Sequence, residues 1–361
     1  MPEGHSVHRI ARQFRRHFVA AGPVEVTSPQ GRFAGDARLI DGHELVEAAA
    51  LGKQMFLRFD HELWLRVHLG MYGAWDFAGE ITADDSTASA GGRMGQTNQR
   101  GTVVGAAVTG ERGVSANARP RVDGAFEDSV WSIGAPRRTR LRMSEDTKEL
   151  GGAGREPMPG DAEWPPAPVG QVRARLRTAT ALADLRGPTA CEVLEVDAVA
   201  GVVERLGPDP QVAPDFARTF GLPRGKAAEQ RFVERVAARA TPIGLLLMDQ
   251  EVVAGIGNVY RAELLFRARL SPFVAGRSLP EELIRALWRD WVKLLRIGVE
   301  TGQMLTMDGL RGDAYAAALA HRADRHWVYH RAGEPCRVCG TPVAMELAAG
   351  RKLYWCPSCQ G

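Results

Sequence analysis

Four of the five cysteines in this 361-residue chain stand in two close pairs near its end, Cys336-x2-Cys339 and Cys356-x2-Cys359, with sixteen residues between the pairs. Two residues between paired thiolates let one tight turn aim both at a single ion, and zinc favours four soft ligands in a tetrahedron. The intervening chain must then leave the metal and return to it. Residues 343–347 and 352–355 can do so as a β-hairpin. Below about 40 residues a module cannot support itself by burial alone, so the metal is expected to supply folding energy. All four ligands come from the protein, which predicts one structural Zn2+ and leaves no open position for catalysis. No apolar run approaches membrane-spanning length, and no charged-then-apolar segment opens the chain. A cytoplasmic chain is therefore expected, where close thiol pairs bind metals rather than form disulfides.

With 45% hydrophobic and 25% charged residues, the rest of the chain is long enough for two or three domains. The formal charge of +3 does not by itself establish a polyanionic partner, so the placement of cations matters more. Residues 5–20 read as a helix with Val7, Ile10, Ala11, Phe14 and Phe18 on one face. Arg9, Arg12, Arg15, Arg16 and His17 lie largely opposite and are expected to be solvated, with phosphate contact as the second reading. Runs at 54–60, 63–69, 139–143 and 171–178 partly alternate apolar and polar residues, as strands of a sandwich do. Two segments interrupt them, 79–129 and 144–169, without sustained periodicity, and both read as flexible insertions. Beyond Pro223 the period becomes helical, at 227–240, 242–249, 259–268 and 280–301. The expected division is 1–222, 223–325 and 326–361.

Five separated pieces then point to one family. They are Met1-Pro2-Glu3-Gly4-His5, Leu51-Gly52-Lys53, His68-Leu69-Gly70-Met71-Tyr72-Gly73, the run 249–263 around Gly255-Ile256-Gly257-Asn258, and Tyr329 to Cys336 with Gly350-Arg351 and 354–360. Together, and in this order, they resemble the Fpg/Nei DNA glycosylases, closest to the endonuclease VIII (Nei) branch. The resemblance covers the chain end to end apart from the two interruptions. It implies an α+β multidomain fold: an N-terminal β-sandwich with flanking helices, a helix–two-turn–helix domain and a zinc-finger hairpin. It also implies a monomer acting near the nucleoid on double-stranded DNA that contains oxidised bases or abasic sites, lying in the cleft between the halves.

The resemblance assigns chemistry residue by residue. Pro2 becomes a terminal secondary amine once Met1 is removed. An α-amino group titrates near pH ~8, well below a lysine at ~10.4, so part of it is neutral and nucleophilic. Attack on C1′ of the sugar expels the base and leaves an iminium ion, which acidifies the C2′ proton and permits strand cleavage. Glu3 moves protons at the sugar, and Lys53 serves the lesion phosphate and sugar. Asn258, after two glycines and at the start of a helix with free N–H groups, contacts a DNA phosphate, and Arg351 on the hairpin clamps the lesion phosphate. Met71 and Tyr72 fill the gap left by a flipped base, with ordinary core packing as the competing account. His5 departs from the usual opening block, and 302–326 lacks the loop pattern of the 8-oxoguanine branch. Both that loop and the run 71–75 favour oxidised pyrimidines. Oxidised purines remain a second reading. A catalytically silent DNA binder is a third, although it would have no need of Pro2, Glu3 and Lys53.

Overall fold

A computed structural model describes residues 2–81, 132–135 and 164–361. The strand expected at 139–143, and most of the two interrupting segments, lie outside the described residues. The chain opens with helix α1 (Gly4–His17), whose Val7, Ile10, Ala11 and Phe14 are buried, as is Phe18 just beyond it. Strand β1 (Pro23–Thr27) and helix α2 (Ala34–Ile40) follow. Next come β2 (His43–Leu51), β3 (Gln54–Phe59), β4 (Trp64–His68), β5 (Ala74–Gly79), β6 (Ser132–Gly134), β7 (Val172–Arg177), β8 (Ala181–Arg186) and β9 (Ala190–Leu194).

All these strands pair antiparallel, in the order β6-β5-β8-β7-β1-β2-β3-β4-β9. Strand β1 pairs with β2 through Pro23 and Val24 and with β7 through Glu25 to Thr27. It thereby joins two leaves, which enclose one core with Phe14, Leu57, Trp75 and Leu185 in it. The β2–β3–β4 leaf has a second core on its other face. There Ala49, Phe56 and Trp64 meet helices α3 (Val196–Glu204) and α4 (Pro214–Thr219).

The C-terminal half carries α5 (Lys226–Ala237), α6 (Ile243–Leu246), α7 (Asn258–Arg267), α8 (Glu281–Thr301) and α9 (Gly312–Ala320). Helix α8 starts behind Pro280 with Glu281 and Glu282 in its first turn, where carboxylates favour the positive helix end. It stops at Gly302, whose φ of 70° is left-handed, and whose N–H bonds back to the Gly298 carbonyl. The helix expected over 242–249 shrinks to the single turn α6. Beyond Leu247 the bonds tighten, with Met248 N–H donating to Leu245 O at 3.0 Å and Asp249 N–H to Leu246 O at 3.1 Å, each three residues back, which ends the α-helix.

Helix α1 lies between the sandwich and α8, and this overturns one expectation about its polar face. Arg9 is not solvated: it is 4% exposed, and its Nη1 donates to the Val299 carbonyl at the end of α8. The helix has two packed faces instead of one.

The terminal hairpin, β10 (Ala344–Ala348) and β11 (Arg351–Trp355), forms close to the expected segments. It is not a separate body. Cys336, Val343, Tyr354 and Cys356 share one core with Tyr260, Phe266 and Trp291. Glu263 of α7 fastens the entry to this module. Its fully buried carboxylate accepts the backbone N–H groups of Trp327, Val328 and Tyr329 at 2.8 to 2.9 Å, and the Thr306 hydroxyl. Gln360 adds a second tie, accepting from Cys356 N and donating to Leu270 O.

Glu263→Ala would orphan three buried amides. Each costs ~1–3 kcal/mol, so a loss of at least about 3 kcal/mol is expected in urea unfolding. Faster zinc release to a chelator should accompany it. Glu263→Gln, which keeps an acceptor oxygen, should lose less.

Candidate active site

Glu3 occupies the N-cap position of α1, yet its side chain does not cap that helix. It reaches across the chain to α7. Its Oε2 accepts the Gly257 N–H at 2.9 Å and its Oε1 accepts the Val259 N–H at 2.9 Å. The first amides of a helix have no partner within it, and the macrodipole favours an anion there. The amides expected to be free for a phosphate are thus taken, at these two positions, by the protein's own carboxylate. Glu3 is fully buried, and Pro2 beside it is buried as well.

Glycine makes this approach possible. A Cβ on Gly257 would stand 2.4 Å from Glu3 Cδ. Gly52, at φ +61°, brings its turn so near that a Cβ would stand 2.7 Å from Ala254 Cβ. Gly4 donates its N–H to Gly255 O at 2.9 Å. Three motifs far apart in sequence therefore meet backbone to backbone.

Lys53 follows Gly52 and lies against the same segment, donating from Nζ to Ile256 O at 2.7 Å. Burial pulls its pKa down to about 8; the Glu3 carboxylate opposes that shift and the Arg351 cation adds to it. Its turn is held from beneath by Asp209, which is 1% exposed. One Asp209 oxygen accepts both Gly52 N at 2.6 Å and His8 Nε2 at 2.8 Å, and the other accepts Gln211 N.

Asn258, the first residue of α7, is 8% exposed. Its amide donates to Lys352 O on β11 at 2.8 Å and accepts from Arg261. Arg261 is fully buried and also donates to Lys352 O, at 3.0 Å. Burial, and next the charge of Arg351, lower its pKa to about 10. Arg351 itself is exposed at the start of β11. Glu3, Lys53, Asn258, Arg261 and Arg351 thus form one charged seam between sandwich, helical half and hairpin.

Met71 and Tyr72 are carried on a different element, the turn from β4 to β5, and are 52% and 37% exposed. They are not core residues. The turn starts close to the seam: His68 ends β4 with its pKa lowered by burial and then by the charges of Arg66 and Lys53.

Behind the seam, the four cysteine sulfurs lie within 4.8 Å of one another. Cys336 and Cys359 Sγ are 3.9 Å apart, and Cys339 and Cys356 Sγ are 3.4 Å apart. Four thiolates at about 2.3 Å from one zinc ion would be about 3.8 Å apart, so the donor set fits a closed tetrahedral site. Backbone N–H groups of Val338 and Cys359 point at Cys336 and Cys356 Sγ, which suits thiolates. The protein holds one structural Zn2+ there.

Sequence reasoning passed over Arg261, Asp209, His8 and Glu263. Arg261 was within reach, since it lies one helical turn after Asn258 on the same face. Asp209 pairs with residues more than 150 positions away, and nothing local marks it.

The protein is thus two-lobed, with a cationic seam between its halves, a buried carboxylate in that seam and the zinc hairpin joined to it through Asn258 and Arg261. Residues 1–111 match the family described as Formamidopyrimidine-DNA glycosylase N-terminal domain. Residues 206–308 match the Formamidopyrimidine-DNA glycosylase H2TH domain, and 333–361 match the zinc finger found in FPG and IleRS. Endonuclease 8 1 of Mycobacterium tuberculosis is 35% identical over 360 residues, covering 100% of both chains. Formamidopyrimidine-DNA glycosylase of Thermus thermophilus is 40% identical over 164 residues, 44% of this chain and 54% of that one. The crystal structure of the MutM (Fpg) protein from Thermus thermophilus superposes with a TM-score of 0.57 at 25% identity, covering 100% and 99% of the two chains. The chain belongs to the Fpg/Nei family of DNA glycosylases, enzymes of base excision repair.

Gly257→Ala should push the Glu3 carboxylate from its amides. A displacement of about 1 Å at a catalytic group costs roughly 100-fold in rate. The base-excision rate should fall by that order while far-UV circular dichroism stays unchanged. Removing zinc with a chelator should release β11 from Asn258 and Arg261, and weaken duplex binding in a fluorescence-anisotropy titration.

Proposed function

We propose that the chain removes oxidised bases, pyrimidines foremost, and then cuts the strand as an AP lyase, through a Schiff base at Pro2. The observation that carries this reading is the Glu3 carboxylate, buried and fixed by two amides directly beside Pro2. Loss of Met1 frees the Pro2 amine. The neutral amine attacks C1′; the new N–C bond forms as the bond to the base breaks, and the base leaves with a proton. Opening of the sugar gives an iminium ion. That electron sink lets the C2′ proton depart and the 3′ C–O bond break. Glu3 moves the proton at the sugar ring oxygen. Each carboxylate oxygen has two lone pairs, and a single bond to an amide leaves one for this task. Lys53, Asn258 and Arg351 hold phosphates, and Met71 and Tyr72 fill the vacated stack.

The preference for pyrimidines is supported by the relative that matches over its whole length, an endonuclease 8. A second reading, oxidised purines, is favoured by the higher identity to a formamidopyrimidine-DNA glycosylase over part of the chain. In this proposal the catalytic half spans 1–222, the helical half 223–325 and the zinc module 326–361. One chain supplies every group named, so a monomer suffices, working on chromosomal DNA in the cytoplasm.

The test uses duplexes carrying thymine glycol, 5-hydroxyuracil, 8-oxoguanine or an abasic site, with borohydride present. A covalent adduct mapped to Pro2 is expected, strongest with the pyrimidine lesions. Retaining Met1 should abolish it. An adduct on an internal lysine that survives a blocked terminus would sink the proposal.

Lys53 adds a pH signature. Its phosphate contact requires the charged amine, so kcat/KM, which reports the free enzyme, should fall as pH rises through about 8. Lys53→Arg should move that limb above pH ~10. Stability should respond with the opposite sign. Between the folded pKa of about 8 and the ordinary ~10.4, the unfolded chain binds more protons at this site. The Lys53 contribution therefore makes the fold more stable as pH rises across that window.

A further inference from the structure

Beneath the seam, helix α1, the Lys53 turn and the connector from α3 to α4 meet at one carboxylate oxygen. His8 stands in the second turn of α1, one turn after Gly4 on the same face. Its Nε2 lies 2.8 Å from Asp209 Oδ2, and the same oxygen accepts the Gly52 N–H at 2.6 Å. Asp209 Oδ1 accepts the Gln211 N–H at 2.8 Å. An ionised carboxylate only accepts, so His8 donates from Nε2. The two side chains are 6% and 0% exposed.

The connector is fastened to the helical half as well. Gly207 N–H donates to Gln250 O at 2.7 Å, and Pro208 O accepts the Ala254 N–H at 3.2 Å. A Cβ on Gly207 would stand 2.6 Å from Val252 C, so glycine is what admits this approach. Gln250 then accepts the Gly255 N–H and donates to Ile256 O, the carbonyl that also takes Lys53 Nζ. Lys53 is therefore held twice, by Ile256 O at its amine and by Asp209 through the backbone of its turn.

The turn depends on that second tie. Gly52 has φ +61°, and a glycine gives its backbone no steric bias of its own. An outside bond has to fix the direction in which Lys53 leaves the turn. Apolar packing would join α1 to the connector without burying a carboxylate and an imidazole, which is costly unless both are hydrogen-bonded. What the polar pair adds is direction. Its donor sits on the helix that starts directly behind Pro2 and Glu3.

We propose that His8, acting through Asp209, is a positioning residue for Lys53, setting the register between the Pro2 helix and the turn that grips the phosphate. This inference rests on the reading of Lys53 as a phosphate-gripping residue. His8 itself moves no proton in the reaction.

The test is a double-mutant cycle on full-length, zinc-loaded protein, read as kcat/KM for cleavage of a duplex with an abasic site. His8→Ala should lower it roughly tenfold, the effect of a shift smaller than the ~1 Å that costs about 100-fold. His8→Gln should recover most of the loss, because its Nε2 can donate from nearly the same place. Lys53→Ala should cost more than His8→Ala. Added to Lys53→Ala, His8→Ala should cost less than about twofold more, since residues that act as one unit do not add. The alkaline limb, set by Lys53 at about 8, should move up in His8→Ala as water reaches the loosened amine. The other charges facing Lys53, those of Glu3, Arg351 and His68, are untouched by that substitution. Additive losses, or an unmoved alkaline limb, would overturn the positioning role and leave the reading of Lys53 standing. Wild-type kcat/KM in Lys53→Ala would overturn that reading and this inference with it. If circular dichroism shows His8→Ala unfolded, His8→Leu, which fills the space without donating, enters the same cycle and is judged by the same outcomes.

Discussion

The joint between the two halves rests on one carboxylate at one helix end. Glu3 belongs to the first turn of the sandwich half, and the amides it satisfies belong to Gly257 and Val259 in the helical half. A fully buried carboxylate is costly unless it is hydrogen-bonded, and unsatisfied amides are costly too. Each side of the joint removes the other's penalty. The contact therefore fixes the position of Glu3 and the relation of the halves at once. Its neighbours are recruited to the same end, with Gly4 bonded to Gly255, and Lys53 to Ile256.

Helix α7 acts as the beam between this joint and the zinc hairpin. Its first turn holds Glu3; Asn258 and Arg261 hold Lys352, and Glu263 holds residues 327–329. Three attachments thus lie within six residues, 258–263, of one rigid element. Zinc closes the far side, keeping β11 where Arg351 can face the seam. A metal remote from the chemistry hence bears on it through main-chain carbonyls, without any open coordination position.

How much of this was legible in sequence depended on whether the signal was local. The cysteine spacing marked the hairpin, and helical periodicity marked α1, α5, α7 and α8. Strands β3, β4 and β7 were visible through partial alternation. Strand β2 was not. Its Ala48 and Ala50 face the inner core while Ala49 and Leu51 face the outer one, so apolar residues run continuously and no alternation survives. The solvated face expected for α1 failed for the same reason, because Arg9 meets α8 on the side away from the sandwich. At the site, the pairing of Glu3 with α7 was hidden because a carboxylate at a helix N-cap normally serves its own helix. Asp209 was hidden because its partners, His8 and Gly52, lie far away in the chain.

The seam is pre-formed, and that shapes what it can recognise. Lys53 and Asn258 already donate to the carbonyls of Ile256 and Lys352. A ligand must compete with those bonds. Another neutral carbonyl would gain little by displacing them. For Asn258 a phosphate oxygen offers a charge-assisted bond roughly twice as strong as its neutral one, and for Lys53 it offers an opposite charge in place of a carbonyl dipole. Internal bonds thus hold these side chains in place at small cost to anion affinity, and they penalise uncharged ligands. Lys53 carries this further, because burial has already weakened its hold on its proton. An anion placed beside Lys53 strengthens that hold again, as the Glu3 carboxylate already does in part.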